Sequence, residues 1–267
     1  MALLTLSNIH KTFEKGTVNE NHVLRGLDLD IEQGDFISVI GGNGAGKSTL
    51  MNSIAGVVDI DEGDIVLDGQ SIRKTSVAAR SKDISRVFQD PRMGTATNLT
   101  IEENMAIAYR RGKKRSFFKK SVTEQERELF KETLTELGLG LENRMKTDAS
   151  FLSGGQRQAL TLAMATLVRP KILLLDEHTA ALDPKTSDMV MHLTKKIVEE
   201  QELTTLMITH NMEHAIEYGN RLIMLYHGKI VVDVRGDEKK SLTVAQLMDL
   251  FHKNSGQALN DDALVLG

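Results

Sequence analysis

The chain has 267 residues, 40% of them apolar and 26% charged, with 33 Lys+Arg against 37 Asp+Glu and a formal net charge of −4. That length suits one large or two small domains. The charge balance gives no general pull toward nucleic acid, and the lack of cysteine excludes disulfides and thiolate metal sites.

The opening MALLTLSNIHKTF has no basic region followed by a long apolar stretch, and no apolar run nears the roughly 18–20 residues of a membrane span. The expectation is a soluble, cytoplasmic chain that needs other chains for any membrane work. Leu3 to Ile9 is apolar-rich and reads as a strand; His22 to Ile31 alternates through Val23, Leu27, Leu29 and Ile31. Phe36 to Ile40 is a short buried strand that feeds a glycine loop, and Leu50, Ile54 and Val57 then recur at helical spacing. Ile65 to Leu67 is another strand, closed by the turn pair Asp68-Gly69. From about Gln89 to Val168 the pattern is helical. Thr100 with Glu103 and Thr123 with Glu126 fit capping boxes, and Phe130, Leu134 and Leu137 share a face that Gly138 ends. After Pro170 the alternation resumes, with strands at Lys171–Leu175, Thr204–Thr209, Arg221–Tyr226 and Lys229–Val234, and a helix face of Met189, Leu193 and Ile197. Strands alternating with helices predict an α/β parallel sheet, here interrupted by a helical insertion and preceded by an antiparallel β part. The tail from Ser255 onward is expected to be loosely held.

Gly41-Gly42-Asn43-Gly44-Ala45-Gly46-Lys47-Ser48, with Thr49 after it, fits G-x-x-x-x-G-K-S between a strand and a helix. Glycines let backbone N–H groups curl round phosphate oxygens, and the helix start adds partial positive charge. Lys47 then neutralises the β- and γ-phosphates, and the Ser48 hydroxyl is a Mg2+ ligand. In ILLLDE a buried strand delivers Asp176 and Glu177 at its carboxyl end, where α/β sheets bind ligands. Asp176 suits Mg2+, and Glu177 suits orienting or deprotonating an attacking water. A second glycine-rich helix start lies at FLSGGQRQAL. Ser153 and Gln156 match a capping box there, so the segment also reads simply as a well-capped helix over 154–168. Two glycines in its first turn cost roughly 1 kcal/mol each against alanine, and bare backbone suits close approach of an anion.

LSGGQ, Leu152 to Gln156, is the signature of the ATP-binding subunits of ABC transporters, and the chain resembles that family over roughly residues 3–235. The family's marks occur in order: the phosphate loop, Gln89 after a strand, the signature, ILLLDE, the loop Ala181-Leu182-Asp183, and His210 ending LMITH. The resemblance implies a P-loop NTPase fold with a RecA-like parallel sheet core, an antiparallel β subdomain and an inserted helical subdomain. The domain expectation is one ABC ATPase domain over 1–267. Residues 1–88 and 169–235 form the core with the N-terminal antiparallel β part, 89–168 the helical subdomain, and 236–267 a C-terminal helix and tail. Family members meet head to tail around two ATP, so the two glycine-rich helix starts would serve different nucleotides. Ser153, Gly154, Gly155 and Gln156 would face the partner copy's ATP. The same resemblance implies that Phe13 stacks on adenine, Gln89 contacts Mg2+ and the attacking water, His210 touches the γ-phosphate, and Asp183 communicates across the dimer seam. Taken alone, Phe13 also reads as a core aromatic and His210 as an ordinary strand-end histidine.

The resemblance also implies separate transmembrane permease subunits and, indirectly, an extracytoplasmic substrate-binding protein. The chain would sit peripherally on the inner face of the membrane, with no nucleic-acid partner. DEHTAALDPKT and FQDPRMGTA are most similar to an importer group with amino acids among its suggested cargo. The alternative is a soluble ABC-type ATPase not coupled to transport. Three features depart or stay open. His178 stands where most members have proline, and reads as a solvent-facing loop residue or as an imidazole that makes activity pH-dependent at about pH 6–7. Gly42 replaces the common Pro or Ser of the loop, which should loosen that backbone. Arg110 to Lys120 carries seven basic residues in eleven and reads as a solvated loop, a membrane-surface contact or a nucleic-acid contact.

Overall fold

A computed structural model describes residues 2–113 and 122–255 of the chain. They fall into two units, Met1–Arg80 with Thr204–Gly267, and Ser81–Leu203. In the first, β1 (Leu4–Phe13) pairs antiparallel with β2 (Asn21–Ile31). The inner face buries Leu4, Leu6 and Ile9 of one and Leu24, Leu27, Leu29 and Ile31 of the other, with register shifts between Leu6 and Ile9 and between Ile9 and His10 interrupting the strict alternation. β3 (Phe36–Ile40) is buried throughout and leads through the glycine loop to α1 (Lys47–Ala55). Val57, expected on that helix, lies beyond it: Gly56 ends α1 in the left-handed conformation, φ 79°, and Val57 is left 58% exposed. β4 (Glu62–Leu67) pairs with the other side of β1, and Asp68 and Gly69 turn with positive φ into β5 (Gln70–Ser71). The antiparallel sheet has the order β2-β1-β4-β5. α2 (Val77–Arg80) closes this stretch.

Arg80 explains how the helix after the glycine loop is held. It is 5% exposed, and its guanidinium donates to the carbonyls of Ser53 (2.7 Å) and Ile54 (2.9 Å) at the end of α1, and to Ile72 O (2.6 Å). Burial lowers its pKa, yet a guanidinium stays charged and keeps its fork of donors. Arg80→Met would strand several carbonyls in a dry site. The expected loss is on the order of 3 kcal/mol, read as a lower denaturant midpoint at unchanged m-value. Arg80→Lys should recover only part of it, because one ammonium cannot span both groups of carbonyls.

The second unit contains β6 (Ile84–Val87), α3 (Pro91–Gly94), α4 (Ile101–Tyr109), α5 (Glu124–Glu136), α6 (Gly154–Thr166), β7 (Ile172–Asp176) and α7 (Pro184–Glu200). Among the described residues from Gln89 to Val168 there is no strand, only an isolated bridge between Thr100 and Asp148. Both expected capping boxes are formed, at Thr100/Glu103 and Thr123/Glu126. Phe130 and Leu134 are fully buried, Leu137 caps α5, and Gly138 follows at φ 67°. Of the basic segment, residues 114–120 lie outside the described residues. Arg111 donates to Ala165 O (3.2 Å) and Val168 O (2.6 Å) at the end of α6, a C-terminal cap that favours a cation. Lys113 sits 3.4 Å over the Tyr109 ring.

The chain then returns to the first unit with β8 (Thr204–Ile208), α8 (Met212–Glu217), β9 (Arg221–Tyr226), β10 (Lys229–Arg235), α9 (Gly236–Lys240) and α10 (Val244–Ser255). β3 is flanked by β8 and β9, both parallel to it, and β10 pairs antiparallel with β9. Met212 and Ala215 of α8 and Leu247 and Phe251 of α10 pack with Leu222, Met224, Val232 and Val234. The expected loose tail lies, after Ser255, outside the described residues. Among the described residues no helix is long and apolar enough to cross a membrane.

Candidate functional site

In the first unit the glycine loop and His210 leave the same end of neighbouring parallel strands. Val39 of β3 is paired with Ile208 of β8; two residues further on stand Gly41 and His210. Carboxyl ends of parallel strands are where such sheets hold ligands. Gly41 has φ 146°, and a Cβ there would lie 2.3 Å from Leu225 O, so the loop's tight start tolerates no side chain. Gly46 caps α1 at φ 105° without a side-chain hydrogen bond, so the helix presents its first N–H groups from bare backbone. Lys47 is 6% exposed and its ammonium donates to Gly41 O (2.5 Å) and Gly42 O (3.2 Å). The Gly42 carbonyl also accepts from Ala45 N at 3.2 Å, which braces the backbone that the lack of a side chain was expected to loosen. Asn43, Gly44 and Ser48 are exposed, Thr49 half-buried and Ala45 buried. Phe13 ends β1 and is 38% exposed, with the Lys11 ammonium 5.4 Å from its ring, so it is no core aromatic. His210 is exposed, and the next residue, Asn211, caps α8 by accepting from His214 N at 2.9 Å.

The second unit repeats the device. β6 and β7 are parallel, with Val87 opposite Leu175, and Gln89 and Glu177 each follow two residues later. Asp176 ends β7 in an ion pair with Arg86 of β6, whose guanidinium also covers the Phe88 ring at 4.8 Å. A carboxylate offers about four lone-pair sites, so one arginine does not exhaust it. Glu177 has φ 49°, a left-handed backbone that is costly for a residue with a Cβ. Its carbonyl accepts from Ala180 N at 2.9 Å, which makes 177–180 a turn. The expectation of a solvent-facing His178 is corrected: the imidazole is 2% exposed, with Nε2 3.0 Å from Thr194 Oγ1 on α7.

The signature helix α6 starts with the capping box read from the sequence. Ser153 Oγ accepts from Gln156 N and Gln156 Oε1 accepts from Ser153 N, both at 3.2 Å. Its two glycines have different surroundings. A Cβ on Gly155 would lie 2.3 Å from Thr186 Cγ2 of α7; a Cβ on the exposed Gly154 would meet only the end of the Leu182 side chain, at a tight 3.3 Å that a few tenths of an ångström of give in that side chain relieves. Packing against α7 therefore accounts for Gly155, and the case for bare backbone facing an anion rests on Gly154. Asp183 caps α7, accepting from Thr186 N at 3.2 Å with Pro184 in the first turn. Hydrogen bonds from Thr186, side chain first and then backbone, hold the Asp183 carboxyl below its usual range.

Three side chains that matter here escape motif reading. Arg86 and Thr194 are unremarkable in sequence, since a strand arginine and a mid-helix threonine carry no local signal. Arg157, one turn into α6, donates to Ala149 O (3.2 Å), Ser150 O (3.1 Å) and Leu152 O (2.9 Å) and so ties down the segment entering the signature.

A family model described as ABC transporter matches residues 24–180. The chain is 45% identical over 249 residues to a tyrosine transport ATP-binding protein of Clostridioides difficile, covering 93% of this chain and 98% of that one. It is 34% identical to a phosphonates import ATP-binding protein of Lactobacillus johnsonii, covering 98% of this chain and all (100%) of that one. Among solved structures it resembles an ATP-binding cassette captured as a dimer in a post-hydrolysis state with ADP and phosphate. That match has a TM-score of 0.73 at 30% identity and covers 87% of this chain and 98% of that one.

Proposed function

Because the chain belongs to the ABC transporter family, as one of its ATP-binding and ATP-hydrolysing subunits, we propose that it drives import of an amino acid, with aromatic ones favoured, through separate permease subunits. The observation that carries the cargo class is the near full-length similarity to a tyrosine transport ATP-binding protein. An extracytoplasmic binding protein would deliver the cargo, and this chain would work at the inner face of the membrane. In this reading 1–267 is one ABC ATPase domain, with 89–168 as its helical subdomain.

Two copies close head to tail around two ATP. Phe13 stacks on adenine, the N–H groups of 41–49 grip the phosphates, and Lys47 neutralises the β- and γ-oxygens. Ser153 to Gln156 complete the partner's nucleotide from the opposite side, and Asp183 lies at the seam. Gln89 and His210 contact the attacking water and the γ-phosphate, and Glu177 orients that water or takes its proton. Ser48, Gln89 and Asp176 offer a hydroxyl, a carboxamide and a carboxylate, the hard oxygen set that suits Mg2+. When bound, the ion neutralises phosphate charge. A binding site shared between copies predicts that Glu177→Gln protein, saturated with Mg·ATP, doubles in mass by light scattering. A strictly monomeric result, also in the presence of its membrane partners, overturns the shared site.

A further inference from the structure

We propose that His178 is a positioning residue for hydrolysis: its buried imidazole, hydrogen-bonded to Thr194 on α7, locks the turn that keeps Glu177 in its left-handed backbone conformation. The inference rests on Glu177 acting on the attacking water.

Glu177 sits at φ 49° directly after β7, and a residue with a Cβ stays there only when its surroundings over-determine it. The turn hydrogen bond from Ala180 N to Glu177 O fixes one end of that turn. His178 is its second residue, the position at which a proline ring commonly pre-sets φ. Histidine has no such ring constraint, and its side chain adds a restraint of another kind to the backbone bonds of the turn. It is 2% exposed and Thr194 is fully buried. The Thr194 hydroxyl donates its single proton to Val190 O at 2.8 Å. Its oxygen is therefore left to accept, and the proton in the 3.0 Å contact belongs to His178 Nε2. The imidazole is thus a cross-brace from the hydrolytic turn to the body of a 17-residue helix. Rotating the turn would break a buried hydrogen bond. Glu177 is therefore presented from one direction, and a positioned base loses rate steeply with misplacement.

The test measures steady-state ATPase and ATP affinity on the full chain for His178→Phe, His178→Gln, Thr194→Val, Thr194→Ser and the double variant His178→Phe/Thr194→Val, with Glu177→Gln in parallel. His178→Phe keeps bulk without a donor, and Thr194→Val keeps shape without an acceptor. Each should lower kcat about 10- to 100-fold with KM and ATP affinity within about twofold. The double variant should be no worse than the worse single one, because both remove one bond. His178→Gln, whose amide nitrogen reaches where Nε2 was, and Thr194→Ser should stay within about threefold of the parent. Wild-type kcat in Thr194→Val, multiplying effects in the double variant, or a parallel loss of ATP affinity and kcat would each overturn the proposal. So would a Thr194→Val or His178→Phe protein that no longer binds ATP, since the bond would then be structural alone. Should Glu177→Gln itself keep turnover, the underlying reading of Glu177 falls; should only Glu177→Gln lose it, the brace falls while that reading stands.

Discussion

Glu177→Gln is expected to lower ATP turnover about 10²- to 10⁴-fold while ATP affinity stays within about twofold, the range for removing a positioned base. The substitution keeps size and one acceptor oxygen but replaces the other with an NH2 group and cannot take the proton of water. It also keeps the backbone constraint, because the left-handed φ of 49° and the turn bond from Ala180 N are properties of the main chain. Folding and binding should therefore be spared. Equilibrium nucleotide binding beside steady-state phosphate release separates the two terms, and near-normal turnover removes Glu177 from its role.

Gly155→Ala and Gly154→Ala are expected to fail in opposite ways, although the residues are adjacent. At Gly155 the new methyl would stand 2.3 Å from Thr186 Cγ2, between a helix start and a capped helix start that both resist shifting. Overpacking of that kind costs about 1–3 kcal/mol, partly offset by the better helix propensity of alanine. The melting temperature should fall by several degrees, of the order of 2–4 °C per kcal/mol for a chain this long. Thr186→Ser removes the offending Cγ2 and keeps the hydroxyl, so the pair Gly155→Ala/Thr186→Ser should regain the lost stability. At Gly154 the nearest atom is the free end of Leu182 at 3.3 Å, so stability should hold or rise. ATPase should nonetheless fall, toward about 10²-fold if the methyl displaces a nucleotide by an ångström. A stable Gly154→Ala protein with full activity would mean that no ligand approaches that glycine closely.

Much of this was legible because local chemistry and global fold agree. Phe36–Ile40 is apolar at every position but Ser38 and is buried at every position. The S-x-x-Q box at Ser153 forms as its spacing demands, because a capping box closes within four residues and needs no tertiary partner. What escaped depends on distance along the chain. His178 looked like a loop residue because its acceptor lies 16 residues away on a helix whose register cannot be known from the loop. The pairing of Asp176 with Arg86 spans 90 positions and exists because two parallel strands set Arg86 opposite Leu174, two residues before Asp176 on the neighbouring strand. Gly155 was read as room for an anion since a sequence shows the missing side chain but not the Thr186 methyl that fills its place. Val57 fits the helical period yet falls outside the helix, because Gly56 decides the end before periodicity can extend it.

Helix α7 touches both ends of the chemistry. Thr186, in its first turn, walls Gly155, and Thr194, eight residues and about 12 Å further along, receives His178. If two copies share their nucleotides as proposed, a tilt of that rod would displace the tip offered to a neighbour's nucleotide and, in the same stroke, the carboxylate kept for its own. Two hydrolysis events would then rise and fall together through the stiffness of a single helix, much as the pans of a balance share a beam.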